Sequence, residues 1–153
     1  MKKFITLLGF VIPVTVVIFA VFYAVIVYQG AGVDEESKAY VDKVTPVILA
    51  AMNRQTLFKY ADDKLINSAT PDEIDRIFNW FGSLGELRKY DGASGNANVS
   101  FSTSGISFTA NYEAKATFDK GEAVIKVSTI RRGGEWKISA FSIRSSALPR
   151  SSY

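Results

Sequence analysis

The sequence predicts an α+β protein: an N-terminal transmembrane helix followed by helices packed on a curved antiparallel sheet. Three observations predict it. Residues 4–28 contain no charged side chain. Apolar residues between 33 and 81 recur at helical spacings. From residue 86 the apolar period falls to two, with glycine-containing turns between the alternating runs. Helices first and strands afterwards is the order of an α+β domain.

The first element is the expected span. A helix over 4–28 would reach ~37 Å at 1.5 Å per residue. The hydrocarbon core it must cross is about 30 Å thick, so a tilted helix fits. Tyr23 and Tyr28 fall near its outer end, where amphipathic rings favour the interface. Lys2 and Lys3 precede it and Asp34-Glu35-Glu36 follow it. The positive-inside rule therefore keeps the N-terminus in the cytoplasm and exports the remainder. The expected location is a bacterial inner membrane, with the domain in the periplasm or another extracytoplasmic space. The rival is a signal peptide cleaved near Gly30-Ala31-Gly32, but the apolar run is longer than a signal core of about 7–15 residues. Gly9, Pro13, Ala20 and Ala24 fall near one stripe, a candidate helix-packing face in lipid. Small residues are also common in spans that only tether. The expected organisation is 1–30 stub and span, 31–145 domain, and 146–153 flexible tail.

Val33 to Met52 reads as an amphipathic helix through Tyr40, Val41, Val44, Val47, Ile48 and Ala51. Pro46 either kinks it or opens a new helix capped by Thr45. Leu57, Phe58, Ala61 and Leu65 suggest one short second helix. Thr70-Pro71-Asp72-Glu73 is a capping box with proline in the first turn, and Ile74, Ile77, Phe78 and Phe81 form the apolar face behind it. Gly82 ends that helix and Gly85 adds backbone freedom.

Strands are expected over 86–91, 98–103, 106–118, 122–130 and 135–144, with a loop over 91–96. In the third, Ile106, Phe108, Ala110, Tyr112, Ala114, Ala116 and Phe118 share one face. Asp119-Lys120-Gly121 and Arg131-Arg132-Gly133-Gly134 are the turns.

Composition narrows the chemistry. The chain has 18 basic and 15 acidic residues and no His or Cys. Removing Lys2 and Lys3 leaves 16 basic residues against 15 acids, net +1, with no dense basic stripe. Nucleic acid is therefore not an expected partner. Without His or Cys there is no Ser-His-Asp triad, thiolate nucleophile, imidazole metal site or disulfide, and neither metal nor cofactor is expected. Residues 34–75 carry nine acids and five bases, whereas 76–153 carry six acids and eleven bases. That polarity can orient a domain against a partner.

The ending Gly133-Gly134-Glu135-Trp136-Lys137-Ile138-Ser139-Ala140-Phe141-Ser142-Ile143 resembles the last hairpin of nuclear-transport-factor-2-like, or cystatin-like cone, domains. Phe81-Gly82-Ser83-Leu84-Gly85-Glu86-Leu87 is similar to their helix-to-sheet junction, and the resemblance covers roughly 35–145. It implies a pocket between a concave sheet and the helices. Tyr90, Tyr112 and Trp136 are the residues that would line it, or else half-buried fillers. Asp62-Asp63 reads as a solvated pair and Arg131-Arg132 as a solvated turn. No catalytic residue is assigned. The leading expectation is a non-enzymatic, membrane-anchored accessory or assembly subunit that contacts a membrane-protein partner through its span and its exported domain. The alternative is a binder of a small apolar ligand in the cone pocket, and an enzyme comes last.

Overall fold

The computed structural model describes residues 17–21, 23, 32–103 and 105–148. The chain divides into two units, Met1–Val33 and Asp34–Tyr153. In the first, residues 17–21 and 23 are helical. The span expected over 4–28, with Gly9, Pro13 and Ala24 of its stripe, otherwise lies outside the described residues; Ala20 belongs to the helical stretch. Among the described residues no helix is long and apolar enough to cross a membrane.

The second unit is α+β. Its helices are α1 (Val33–Ala51), α2 (Arg54–Tyr60), α3 (Asp63–Ile66) and α4 (Pro71–Gly82). The strands are β1 (Leu87–Ser102), β2 (Gly105–Phe118), β3 (Gly121–Arg132) and β4 (Glu135–Arg144). They form one curved antiparallel meander in the order β1-β2-β3-β4.

Helix α1 opens with Asp34, Glu35 and Glu36, whose charges suit the positive end of the helix dipole. Pro46 lies inside it without ending it. The chain leaves the helix at Met52, where φ of 43° stops the α-helical path. Val41, Val44, Ile48 and Leu49 are buried along its inner face.

The single helix expected around 57–65 is instead two. Asn53 caps α2 by accepting the Thr56 N–H at 2.8 Å. Ala61 and Asp62 are then extended, and Ala61 forms a parallel bridge to Ile138 while the Asp62 N–H donates to the Ile138 carbonyl at 2.8 Å. A backbone bond to β4 thus replaces a helical one. Asp62 restarts the helix by accepting the Lys64 N–H at 3.3 Å.

The capping box of α4 is formed as the sequence implies. Thr70 N–H donates to Glu73 at 2.7 Å, and Glu73 N–H to the Thr70 hydroxyl at 3.4 Å. Ile74, Phe78 and Phe81 are buried, whereas Ile77 stays exposed. At the junction Gly85 takes a φ of 86°. The Asp119 carboxylate fills the space where a side chain would project from it: a Cβ there would stand 2.6 Å from Oδ2.

The expected loop over 91–96 is not a loop. β1 runs unbroken from 87 to 102 and absorbs two extra residues as register shifts, between Leu87 and Lys89 and between Tyr90 and Ala93. Gly92, at a φ of 85°, sits in the second. A bulge keeps the strand paired while turning it more sharply. Beyond it Ala93, Gly95 and Ala97 stand opposite Ala114, Tyr112 and Ala110.

Alternation on β2 places Ala110, Tyr112, Ala114, Ala116 and Phe118 in the core. Ala123, Ile125, Val127 and Thr129 continue that face on β3. On β4 Trp136 and Ile138 are buried, but a shift opposite Ser128 and Thr129 inserts Ser139 and reverses the alternation. Phe141 and Ile143, not Ala140 and Ser142, are then the residues opposite Val127 and Ile125. After β4, Ser145 donates to the Glu122 carbonyl at 2.5 Å and Leu148 is buried; 149–153 lie outside the described residues.

Candidate functional site

The first candidate region is the seam between α1 and the β1–β2 hairpin. Small residues line the sheet side of the seam: Ala93, Ala110 and Ala114 are buried and Ala97 is half-buried beside the helix. Hydrogen bonds at Asp34, Ser37 and Asp42 then fix it. The Asp34 carboxylate accepts the Ala97 N–H. The Tyr112 hydroxyl lies 2.8 Å from the Ser37 hydroxyl and donates to the Asp34 carbonyl at 3.1 Å. Asp42 accepts from the Tyr90 hydroxyl at 3.0 Å, the Ala93 N–H at 2.7 Å and Lys38 at 2.5 Å. The N–H groups of Ala93 and Ala97 are therefore satisfied by carboxylates from α1. An otherwise bare sheet edge is covered there, one of the ways proteins protect edge strands.

Electrostatics follow the contacts. Burial pushes the Asp42 carboxyl up, but the bonds from Lys38, Ala93 and Tyr90 outweigh it and hold the carboxyl below the usual range. Burial raises Tyr90, and its bond to the Asp42 carboxylate raises it further. Tyr40, which donates to the Tyr60 carbonyl at 3.2 Å, is pushed up to about 12 by burial and then by Tyr60 and Glu135. Phenols shifted in this direction remain protonated donors near neutral pH and are poor bases.

The three aromatic candidates sit on three strands. Tyr90 is half-buried on β1, Tyr112 is 4% exposed on β2, and Trp136 is 8% exposed on β4. Both tyrosine hydroxyls are engaged with α1, as above. The Trp136 indole N–H is buried and has no hydrogen-bond partner among the described residues.

A cleft of about 700 Å³ opens elsewhere, at the helix-to-sheet junction, between Leu49, Met52, Gly85, Leu87, Arg88 and Asp119. None of the three aromatics lines it. Its polar wall is already bonded: Asp119 accepts from Glu86 N–H at 2.8 Å and from Arg88 at 2.5 Å. The Glu86 bond comes first among the causes that hold the Asp119 carboxyl below its ordinary value.

Each of the two pairs expected to be solvated keeps one exposed member, Asp63 and Arg132, while Asp62 is buried and Arg131 half-buried. Asp62 is 9% exposed and lies 3.4 Å from Arg132, while Asp63 is exposed in the first turn of α3. Capping α3 and bonding to β4 is what draws Asp62 inward. Arg131 lies 3.4 Å from Glu36, donates to the Gly134 carbonyl at 3.2 Å and stands 5.8 Å from the centre of the Phe108 ring. The turn itself is Gly133-Gly134, and the arginines end β3.

The second candidate region was not singled out in the sequence. β2 pairs with β3 only from Thr109 onward, so 98–108 form a two-stranded arm beyond the sheet. Val99 stands opposite Phe108 and Phe101 opposite Ile106, all on the face that holds Ala110 and Tyr112 deeper in. Its outer part is exposed: Phe101 is 61% exposed and Ile106 54%, whereas Phe108 is half-buried beside Arg131. Ile106 and Phe108 were expected to join the buried face, but α1 begins level with Ala97, and among the described residues no helix covers Ile106. A readable signal was present. From Gly92 to Tyr112 no residue is charged, in a chain with 22% charged residues.

Among the described residues no group of three or more His, Cys, Asp or Glu side chains is placed to hold a metal ion. No protein-family model matches the chain, and no curated protein matches it significantly.

Proposed function

We propose that the protein is a non-enzymatic, membrane-anchored accessory or assembly subunit, with residues 4–28 as its span and the α+β unit as an exported binding domain. The observation that carries this reading is the use made of Tyr90 and Tyr112. Their hydroxyls hold α1 to the sheet through Asp42, Ser37 and Asp34, so the polar groups that a pocket would offer a ligand are spent inside the fold. What is left for recognition is surface. Val47 and Ile77 are exposed on helices, and residues 34–75, which hold both helices in large part, are net acidic whereas 76–153 are net basic. Surface complementarity needs no catalytic constellation, and an anchor raises the local concentration of any membrane partner.

The test is solubilisation of the full chain from its native membrane, affinity purification and mass spectrometry. A stoichiometric membrane-protein partner supports the reading. A monomer with a co-purifying small molecule would instead favour an apolar-ligand binder. Turnover by the purified protein, lost on one point change at Asp, Glu, Lys or Tyr without loss of folding, would overturn the non-enzymatic assignment.

A further inference from the structure

We propose that the cleft at the helix-to-sheet junction is the docking pocket for an uncharged, aliphatic side chain presented by a partner polypeptide. The inference rests on the protein-contact reading above and adds where on the α+β unit the contact is made and what it selects.

The end of α1 carries it. A helix that stops on a left-handed residue usually has glycine or asparagine there, because a Cβ is strained in that conformation. Among the described residues Met52 is the only non-glycine with a positive φ, 43°, and it stands directly after α1. Its N–H still donates to the Ile48 carbonyl at 2.9 Å, so the turn closes as it would with glycine. The backbone gains nothing from methionine here; what methionine adds is its side chain. Met52 is half-buried and lines the cleft with Leu49 and Leu87. Strained backbone clusters where ligands are held, and an unbranched thioether adapts to the shape of an apolar partner.

The rim decides what kind of group enters. Arg88 lies 2.5 Å from Asp119 and 3.6 Å from Glu86, and Asp119 also takes the Glu86 N–H at 2.8 Å. The Lys120 charge acts on the same Asp119 carboxylate. Acids and bases thus answer one another, and neither sign is left in excess to draw an ion. Leu49, 1% exposed, is the deepest of the lining side chains. Gly82, beside which a Cβ would meet nothing within 4 Å, keeps one side of the cleft open. An apolar centre inside a ring of satisfied polar groups is the form of an interface anchor pocket. At about 700 Å³ the cleft admits a side chain with its flanking backbone.

The chain has two methionines, Met1 and Met52, so isotopic labelling of methionine methyl groups gives Met52 its own signal and leaves Met1 as the control. The full chain in lipid nanodiscs is titrated with N-acetyl-leucinamide, N-acetyl-lysinamide and N-acetylglycinamide, followed by NMR. The expected result is a saturable shift of the Met52 methyl and of the Gly85 and Arg88 amides with the leucine amide alone, the Met1 methyl unmoved. Met52→Gly suits the backbone, and Ala50→Arg sends a long side chain across the cleft from an exposed position on α1. Each is expected to keep the amide spectrum of the strands and to weaken leucine-amide binding roughly tenfold or more. No saturable shift, an equal response to the glycine or lysine amide, or parent-like binding by either folded variant overturns the proposal. In affinity purification from the native membrane, a stoichiometric partner retained equally by Ala50→Arg overturns the cleft while the accessory reading stands. Binding of the leucine amide by a protein that purifies alone overturns the docking role and the accessory reading together, in favour of a small apolar ligand.

Discussion

The Tyr90 hydroxyl donates to the Asp42 carboxylate at 3.0 Å, across 48 positions of sequence, and through this bond the middle of α1 is held to the bulge of β1. The same carboxylate takes the Ala93 N–H just past the bulge and the ammonium of Lys38 one turn earlier. Removing it leaves a half-buried hydroxyl and a strand-edge N–H without their acceptor.

Asp42→Ala is therefore expected to destabilise the fold by roughly 1–3 kcal/mol, the cost of stranding such groups, read from urea unfolding. The pH dependence has a definite sign. Because the folded carboxyl titrates below its ordinary value, its contribution is fully present above about pH 4. It is lost as pH falls through the folded value. Asp42→Asn should flatten the acid limb of the stability profile; an unchanged limb would assign it to other carboxylates.

Gly95 faces Tyr112 across the hairpin, and a Cβ at this position would lie 2.0 Å from the Asn111 carbonyl oxygen and 2.8 Å from the Tyr112 ring. Gly95→Ala should cost about 1–3 kcal/mol or more, because backbone must move to admit the methyl. Gly82, the last residue of α4, has open space around it. Gly82→Ala should be stabilising by ~0.4–1 kcal/mol through the unfolded chain. Opposite shifts in melting temperature from two glycine-to-alanine changes check both statements.

Tyr112→Phe removes the bond to the Asp34 carbonyl and leaves the ring in place. A loss of about 0.5–1.5 kcal/mol is expected for such a bond. Because the contact holds the first turn of α1, amide exchange should quicken in residues 34–37 more than in α4.

Trp136 is buried beside Ile138 on β4. Trp136→Ala should cost about 3–5 kcal/mol. Trp136→Phe should cost distinctly less, since the indole N–H has no partner among the described residues to lose. A Trp136→Ala variant as stable as the parent would be incompatible with this packing.

For topology, a reporter active only outside the cytoplasm and fused after Tyr153 is expected to be active, with the protein retained in the pellet after alkaline extraction. Exchange of 4–28 for an unrelated span should impair function if the Gly9–Ala24 stripe docks a partner helix. It should be tolerated if the span only tethers.

The sequence by itself determined the features whose causes lie within a few residues. The capping box at Thr70 and Glu73, the stop near Gly82, the alternation from Ala110 to Phe118 and the turn at Asp119–Gly121 are each local, and each stands in the structure. Tyr90, Tyr112 and Trp136 were legible as buried or half-buried aromatics by residue type alone. What their polar atoms do was not legible, because Asp42, Ser37 and Asp34 reach them from far along the chain. Only tertiary structure decided the rest. Glycine, serine and asparagine over 91–96 have the composition of a loop, yet pairing with β2 and cover from α1 make them strand. Ala61 and Asp62 have helical neighbours, yet a bond to Ile138 extends them. Identical alternation runs from Ile106 to Phe118, but a covering helix reaches only as far as Ala97, so burial stops where the helix begins. Period reveals which residues share a face; whether that face is buried depends on what another segment brings to it.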